Sequence, residues 1–301
     1  MKTVMSEKGV SISSKVKSAF YLYDAYKNRG FGDAKRTIYH HQRLIGYLSK
    51  FVGIPVNKAT ILEIGCGQVP NQVALFHKEG ANIVGIDIDV PTYRITVPVF
   101  IKIVRTNGLE RAIKSLVRHC LFDKKNIKDL SMEYGQTVSF DNIDIQIMDA
   151  TNMTFESDSF NFIYSNVVFQ HIDNIDAAVK EVNRVLKPTG IAAIHIHLFP
   201  SLSGGICLDW LHPEQSPSAK VPPWDHLRDN QYPVNIHLNK MTINQYREIF
   251  RDYTNIIEEQ TVIEGEKYLT GEIENELKKK GFTREDLLTR SILFIVGKKF
   301  F

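Results

Sequence analysis

Cysteine is scarce in this 301-residue chain. Cys66, Cys120 and Cys207 stand far apart, which excludes a disulfide framework and the clustered spacing of a zinc site, so no structural metal is expected. Long apolar runs are missing too. Nothing approaches the roughly 20 uninterrupted apolar residues of a membrane-spanning helix, and the opening MKTVMSEKGVSISS lacks the apolar segment of a secretory signal; a cytoplasmic protein is expected. The net charge of +3 is too small to argue for nucleic acid, and there is no internal repeat or low-complexity tract. What the chain does have is a hydrophobic share of 43%, enough to bury a substantial core in one large domain or two small ones.

From Thr60 the hydrophobic pattern alternates between strand and helix periods. Strands are expected at 60–64, 82–87, 143–148, 160–166 and 191–199, with closing strands at 261–264 and 291–297. Helices are expected at 71–79, closed by Gly80, and at 241–250. Between them, IDNIDAAVKEVNRVLKPTG (172–190) sets Ile175, Val179, Val182 and Leu186 on one helical face, with Asp173 as N-cap and Pro188 and Gly190 as the stop. The alternation predicts a doubly wound parallel sheet. Residues 15–52 read as two short helices broken at Gly30 and Gly32, either a lid over a site or a cover for a sheet edge. The expected division is therefore a helical lid at 1–56 and a main domain at 57–301.

Two segments interrupt the alternation. Residues 91–140 hold nine Lys or Arg against four acids, a net charge of +5 in a chain whose total is +3. Within them, IKIVRTNGLERAIKSLVRHC can form a helix with Leu109, Ile113, Leu116 and Cys120 on one face and cations on the other. That pattern suits an anionic acceptor or peripheral membrane contact, and equally a lid helix with a solvated face. Residues 199–240 carry both tryptophans, SLSGG, and His212, His226 and His237, a composition of ordered functional loop rather than linker.

ILEIGCGQVPNQVALF (61–76) is a strand, a glycine turn and a helix start, the opening unit of a nucleotide-binding fold. Pyrophosphate would rest on that helix N-terminus, but Pro70 stands where the dinucleotide fingerprint wants glycine, and Glu63 at the mouth of the turn would repel a phosphate. A cationic nucleoside is expected instead, and S-adenosylmethionine is one. Asp87, with Ile88 after it, ends the second strand and suits ribose hydroxyls; Asp149, followed by Ala150, ends the third and suits an adenine amine.

ILEIGCG, VGIDID, MDATNMTFESDSFNFIYSNVVFQHI and EVNRVLKPTGIAAI, in that order over residues 58–198, resemble the successive motifs of class I S-adenosylmethionine-dependent methyltransferases. The resemblance implies a Rossmann-like seven-stranded sheet. By position it implies that Glu63, Gly65 and Gly67 shape the methionine pocket, Asp87 takes the ribose, Asp149 with Ala150 takes the adenine, and Ser165 lies near the methionine end. One departure is Val69, where the family commonly has a third glycine.

Methyl transfer asks the protein to align an acceptor and exclude water, and a hydroxyl acceptor also needs a base, for which histidine is the usual choice. His171, His195, His197 and His226 are the candidates, each with a reading as a helix-orienting or core residue beside it. Cys66 is read as a small packing residue under the cofactor rather than a nucleophile. The expected reaction is O-methylation of a small-molecule or carrier-linked metabolite, in natural-product or glycan biosynthesis, a class that SLSGG to LNKMT faintly resembles. A nucleic-acid acceptor is disfavoured, because the fourth strand ends in SNVV instead of the Asn/Asp-Pro-Pro-aromatic element of base amino-methyltransferases. The alternatives are a non-catalytic S-adenosylmethionine-binding partner subunit and an NAD-dependent oxidoreductase. Nothing in the sequence specifies an oligomeric state.

Overall fold

The computed structural model describes residues 33–301 apart from Ser216; Gly30, Gly32 and the expected helix before them lie outside these residues. The elements in order are α1 (Ala34–Tyr47), β1 (Thr60–Ile64), α2 (Asn71–Lys78), β2 (Asn82–Asp87), α3 (Val97–Asn107), α4 (Leu109–Arg118), α5 (Lys124–Tyr134), β3 (Asp144–Ile147), β4 (Phe160–Asn166), α6 (Ile175–Val185), β5 (Leu186–His197), α7 (Ile243–Tyr253), β6 (Asn255–Ile263), α8 (Gly271–Lys279), α9 (Arg284–Leu288) and β7 (Thr289–Gly297). They divide into two compact units. One contains residues 92–139 with the described residues up to Arg43; the other contains 44–91 and 140–301.

The second unit holds the sheet, in the order β3-β2-β1-β4-β5-β7-β6. β1 to β5 are mutually parallel, while β7 runs antiparallel to both β5 and β6, so the sheet is mixed rather than wholly parallel as the alternation predicts. The central strands are buried on both faces, which explains their near-continuous apolar runs. Leu62, Ile64, Val179, Val182, Ile194, Phe250 and Phe294 belong to one core against α6 and α7, where the Phe250 and Phe294 rings stack 4.3 Å apart. The glycine turn after β1 needs glycine for steric reasons. Gly65 has φ +76°, and a Cβ there would lie 2.2 Å from Val168 Cγ2.

Several boundaries differ from expectation for local reasons. The N-cap of α6 is Asn174, whose side chain accepts the Ala177 amide, not Asp173. The helix ends at Val185 and β5 begins at once, because KPTG is absorbed as a bulge: the register steps from Phe160↔Leu186 to Phe162↔Ile191. Gly190 lies against the Phe160 and Asn161 carbonyls, where a Cβ would come within 2.9 and 2.8 Å. β6 begins at Asn255, earlier than the expected 261, since NIIEEQ forms a half-solvated edge strand with little apolar signal. α8 and α9 were not expected; each is short and capped by a threonine, Thr270 and Thr283.

Residues 199–240 pack inward. Leu202, Trp210, Val221, Trp224 and Leu227 form a second core with Ile273, Leu277, Leu287 and Leu288 of α8 and α9. In the other unit, Gly108 at φ +87° divides the single basic helix that the sequence suggests into α3 and α4.

Candidate functional site

In an open α/β sheet ligands bind beyond the carboxyl ends of the parallel strands. A cleft of about 370 Å³ lies there, lined by Gly65, Asp87, Ile88, Asp149, Ala150, Val168 and His171 among others. Asp87 Oδ2 accepts the Gly67 amide and Oδ1 the Asp89 amide, each at 2.8 Å. Burial raises the Asp87 carboxyl above its ordinary value, and these amide bonds oppose the rise. Asp149 Oδ1 accepts both the amide and the hydroxyl of Thr151 at 2.8 Å. Beside the cleft Val167 is held at φ +59°, a strained conformation for a β-branched residue, and its amide is tied to the His195 carbonyl at 2.8 Å. Among the described residues the lining contains Asp87, Asp149 and Asp173 and no Lys or Arg.

Four of the expected cofactor residues are not on the wall. Glu63 lies under the glycine turn rather than at its mouth. Strand alternation turns it toward α2, where it is 8% exposed and accepts the Val73 amide of the first helical turn. Burial pushes its carboxyl up to about 7, with Asp87 adding to the rise and the Tyr164 hydroxyl opposing it. The Tyr164 hydroxyl influences this carboxyl from outside hydrogen-bond geometry, and both it and Glu63 Oε2 are buried without a hydrogen-bond partner. Cys66 is buried and its thiol is driven far up, first by burial and then by Glu63 and Asp87, which removes it as a nucleophile. Gly67 keeps open space where a Cβ would stand. Ser165 is 2% exposed and donates to the Ile64 carbonyl at 2.9 Å, so its hydroxyl serves the strand pair.

The structure brings the four candidate histidines together. His197 is pushed down to about 3 by burial and then by the charges of Arg290, His195, His171 and His226, all of which lie close enough to act on it. His226, also buried, is pushed down to about 4, and its Nε2 lies 2.9 Å from the Phe199 carbonyl. Both rings are neutral at physiological pH. His195 Nδ1 meets Asn166 Oδ1 at 2.8 Å. His171, exposed on the cleft wall, meets the His237 carbonyl through Nδ1 at 2.7 Å. A carbonyl only accepts, so that nitrogen carries the proton and Nε2 the lone pair, toward which the Gln170 amide points at 3.3 Å. His237 in turn bonds Asp173 at 2.7 Å, which is why Asp173 is not the cap of α6.

Sequence reasoning missed the support behind His197. Its Nε2 lies 2.9 Å from Ser203 Oγ, which donates to Glu264 Oε1 at 2.6 Å, while Arg290 bonds Glu264 Oε2 at 3.2 Å. Because the serine proton goes to the carboxylate, His197 Nε2 is the donor to Ser203 and Nδ1 holds the lone pair. Ser203 and Glu264 are 61 residues apart, and no local spacing signals the pairing. Among the described residues no cluster of metal ligands occurs, and no helix is long and apolar enough to cross a membrane.

A family model described as a methyltransferase domain matches residues 37–253. No curated protein matches the chain significantly. Among solved structures, a protein of Pyrococcus horikoshii is 16% identical, covering 94% of this chain and 99% of its own, with a TM-score of 0.48. A Listeria monocytogenes protein assigned as an S-adenosylmethionine-dependent methyltransferase is 13% identical over 89% of this chain and 99% of its own, with a TM-score of 0.47. A Galdieria sulphuraria protein assigned as a sarcosine dimethylglycine methyltransferase is 17% identical over 87% of this chain and 86% of its own, with a TM-score of 0.46.

Proposed function

The chain belongs to the methyltransferase-domain family, whose methyl donor is S-adenosylmethionine, and we propose that the cleft beside Asp87 holds this donor for transfer to a hydroxyl of a small or carrier-linked metabolite. The observation that carries the reading is the charge of the wall: among the described residues it holds three aspartates and no Lys or Arg. A phosphate 4 Å from one such carboxylate would be repelled by about 4 kcal/mol at the effective dielectric of a protein surface, whereas a cationic nucleoside is attracted. This speaks against NAD. The buried, unmatched Oε2 of Glu63 also favours a cation near the glycine turn.

Asp87 keeps lone pairs beyond its two amide bonds for the ribose hydroxyls, and Asp149 Oδ2 remains for the adenine amine. Ile88, Met148 and Ala150 supply the apolar surface that an adenine needs. When bound, the donor supplies an electrophilic methyl group. The protein's own part is to orient the acceptor, exclude water and take the proton. His171, on the cleft wall, is the base in this reading: its carbonyl partner fixes the proton on Nδ1 and leaves the lone pair on Nε2, where the acceptor hydroxyl would replace the Gln170 amide. His197, held neutral with its proton on Nε2, keeps Nδ1 as an acceptor for a second polar donor of the acceptor molecule.

The test is transfer from methyl-labelled S-adenosylmethionine to a panel of hydroxyl, amine and thiol acceptors, with products identified by mass. The reading expects a label on oxygen and a fall in kcat of roughly 100-fold in His171→Asn, with S-adenosylhomocysteine affinity unchanged. A label on nitrogen, or an unaltered rate in His171→Asn, contradicts it.

A further inference from the structure

Helix α4 is amphipathic in the inverted sense. Leu109, Ile113, Leu116, Val117 and Leu121 recur along one stripe of α4 and the turn after it, and they are 58, 49, 38, 49 and 59% exposed. The side of the helix that packs inward is small and polar: Ala112 and Ser115 are 0 and 3% exposed, and Arg118 bonds Thr92 and pairs with Asp123. In the same unit Val97 at the start of α3 is 75% exposed. Five aliphatic side chains on one solvent-facing stripe form a patch that a soluble surface rarely leaves uncovered.

The charge around the stripe selects what covers it. Lys102 and Arg105 on α3, and Lys124, Lys125 and Lys128 on α5, are exposed. Within α4 the one acid is Glu110, and Asp123, just beyond the helix, is buried and engaged by Arg118 and His119. Residues 91–140 carry +5, so two copies brought face to face would repel, whereas an anionic surface would be drawn to the cations and would accept the aliphatic side chains between them. We propose that α4 docks this protein on an anionic lipid surface, with Leu109, Ile113, Leu116, Val117 and Leu121 entering the headgroup boundary and the exposed lysines of α5 resting on the lipid charges. Docking through α4 does not depend on the identity of the methyl acceptor. A surface-bound enzyme of this kind would meet acceptors that are themselves held in or near the bilayer.

The experiment is cosedimentation of the full chain with vesicles of phosphatidylcholine containing 30% phosphatidylglycerol, against vesicles of phosphatidylcholine alone. The expected result is binding to the anionic vesicles at least tenfold tighter than to the neutral ones, weakening from 50 to 300 mM salt. Leu109→Glu, Ile113→Glu, Leu116→Glu together should abolish it, and Lys124→Glu, Lys125→Glu should reduce it several-fold. Because the substituted side chains are exposed, the unfolding midpoint and S-adenosylhomocysteine affinity of each variant should match the parent, which separates this result from any failure of the cleft. Equal binding to both vesicle types, or undiminished binding by the triple variant, overturns the proposal. So does a dimer in sedimentation velocity that the triple variant dissolves, since the face would then belong to a second copy.

Discussion

The carboxylate of Asp87 holds the amide of Gly67 at 2.8 Å, fastening the end of β2 to the glycine turn that follows β1. One side chain thereby shapes the cleft and lines it. Asp87→Ala loses both amide bonds and the acceptor for a ribose, so S-adenosylhomocysteine binding should weaken by at least roughly 100-fold in calorimetric titration. Asp87→Asn keeps one acceptor and should lose roughly tenfold. Equal affinity of Asp87→Ala and the parent would remove Asp87 from the site.

The two glycines of the turn make different demands. Gly65→Ala should unfold at a markedly lower temperature and lose ligand binding, because its Cβ would meet Val168 at 2.2 Å in a left-handed backbone. Gly67→Ala has open space and only the cost of φ +71°, about 1 kcal/mol. Thermal unfolding of the two variants in parallel checks the ranking.

Glu63 makes stability fall with rising pH. Its carboxyl is raised from 4.5 to about 7 in the folded chain, so the unfolded chain ionises first as pH rises. The group's stabilisation is complete below pH 4.5, declines between 4.5 and 7, and is lost above 7, a change of up to about 3 kcal/mol. Denaturant unfolding of the parent and Glu63→Gln at pH 5 and pH 8 should therefore show the parent losing more stability than the variant over that interval. Parallel losses would mean that Glu63 is ionised in the folded chain throughout.

Much of this site could be read directly from the chain. ILEIG, NIVGID and FNFIYSN have the length and apolar density of buried parallel strands, and acids at two of the strand ends mark the cleft. Other features depend on partners distant in sequence. Glu63 reads as a cleft residue until strand alternation turns it under α2. The edge strand β6 hides in NIIEEQ because half of it faces water. The direction of β7 is set by its pairing with β5 and β6, which no local pattern in SILFIVG records.

An acceptor oxygen at position 264 should be essential and the charge of Glu264 less so. Glu264→Gln can keep the Ser203 hydroxyl and amide bonds through one oxygen and should cost no more than about 1 kcal/mol. Glu264→Leu strands the Ser203 donors and Arg290 and should cost about 3 to 5 kcal/mol in urea unfolding. Similar losses in both variants would show that the ion pair with Arg290, rather than the bonds to Ser203, holds this part of the chain.

The acid-lined cleft is tested most directly by calorimetric titration of the parent and a Glu63→Gln, Asp87→Asn double variant with S-adenosylmethionine at pH 6 and pH 8, with NAD titrated alongside. The account predicts that the parent binds the cationic nucleoside more tightly at pH 8, as Glu63 ionises through about 7, and that the double variant binds it at least tenfold more weakly with no gain between the two pH values. NAD should not bind. Equal affinity of the two proteins, or uptake of NAD by the parent, would contradict the account.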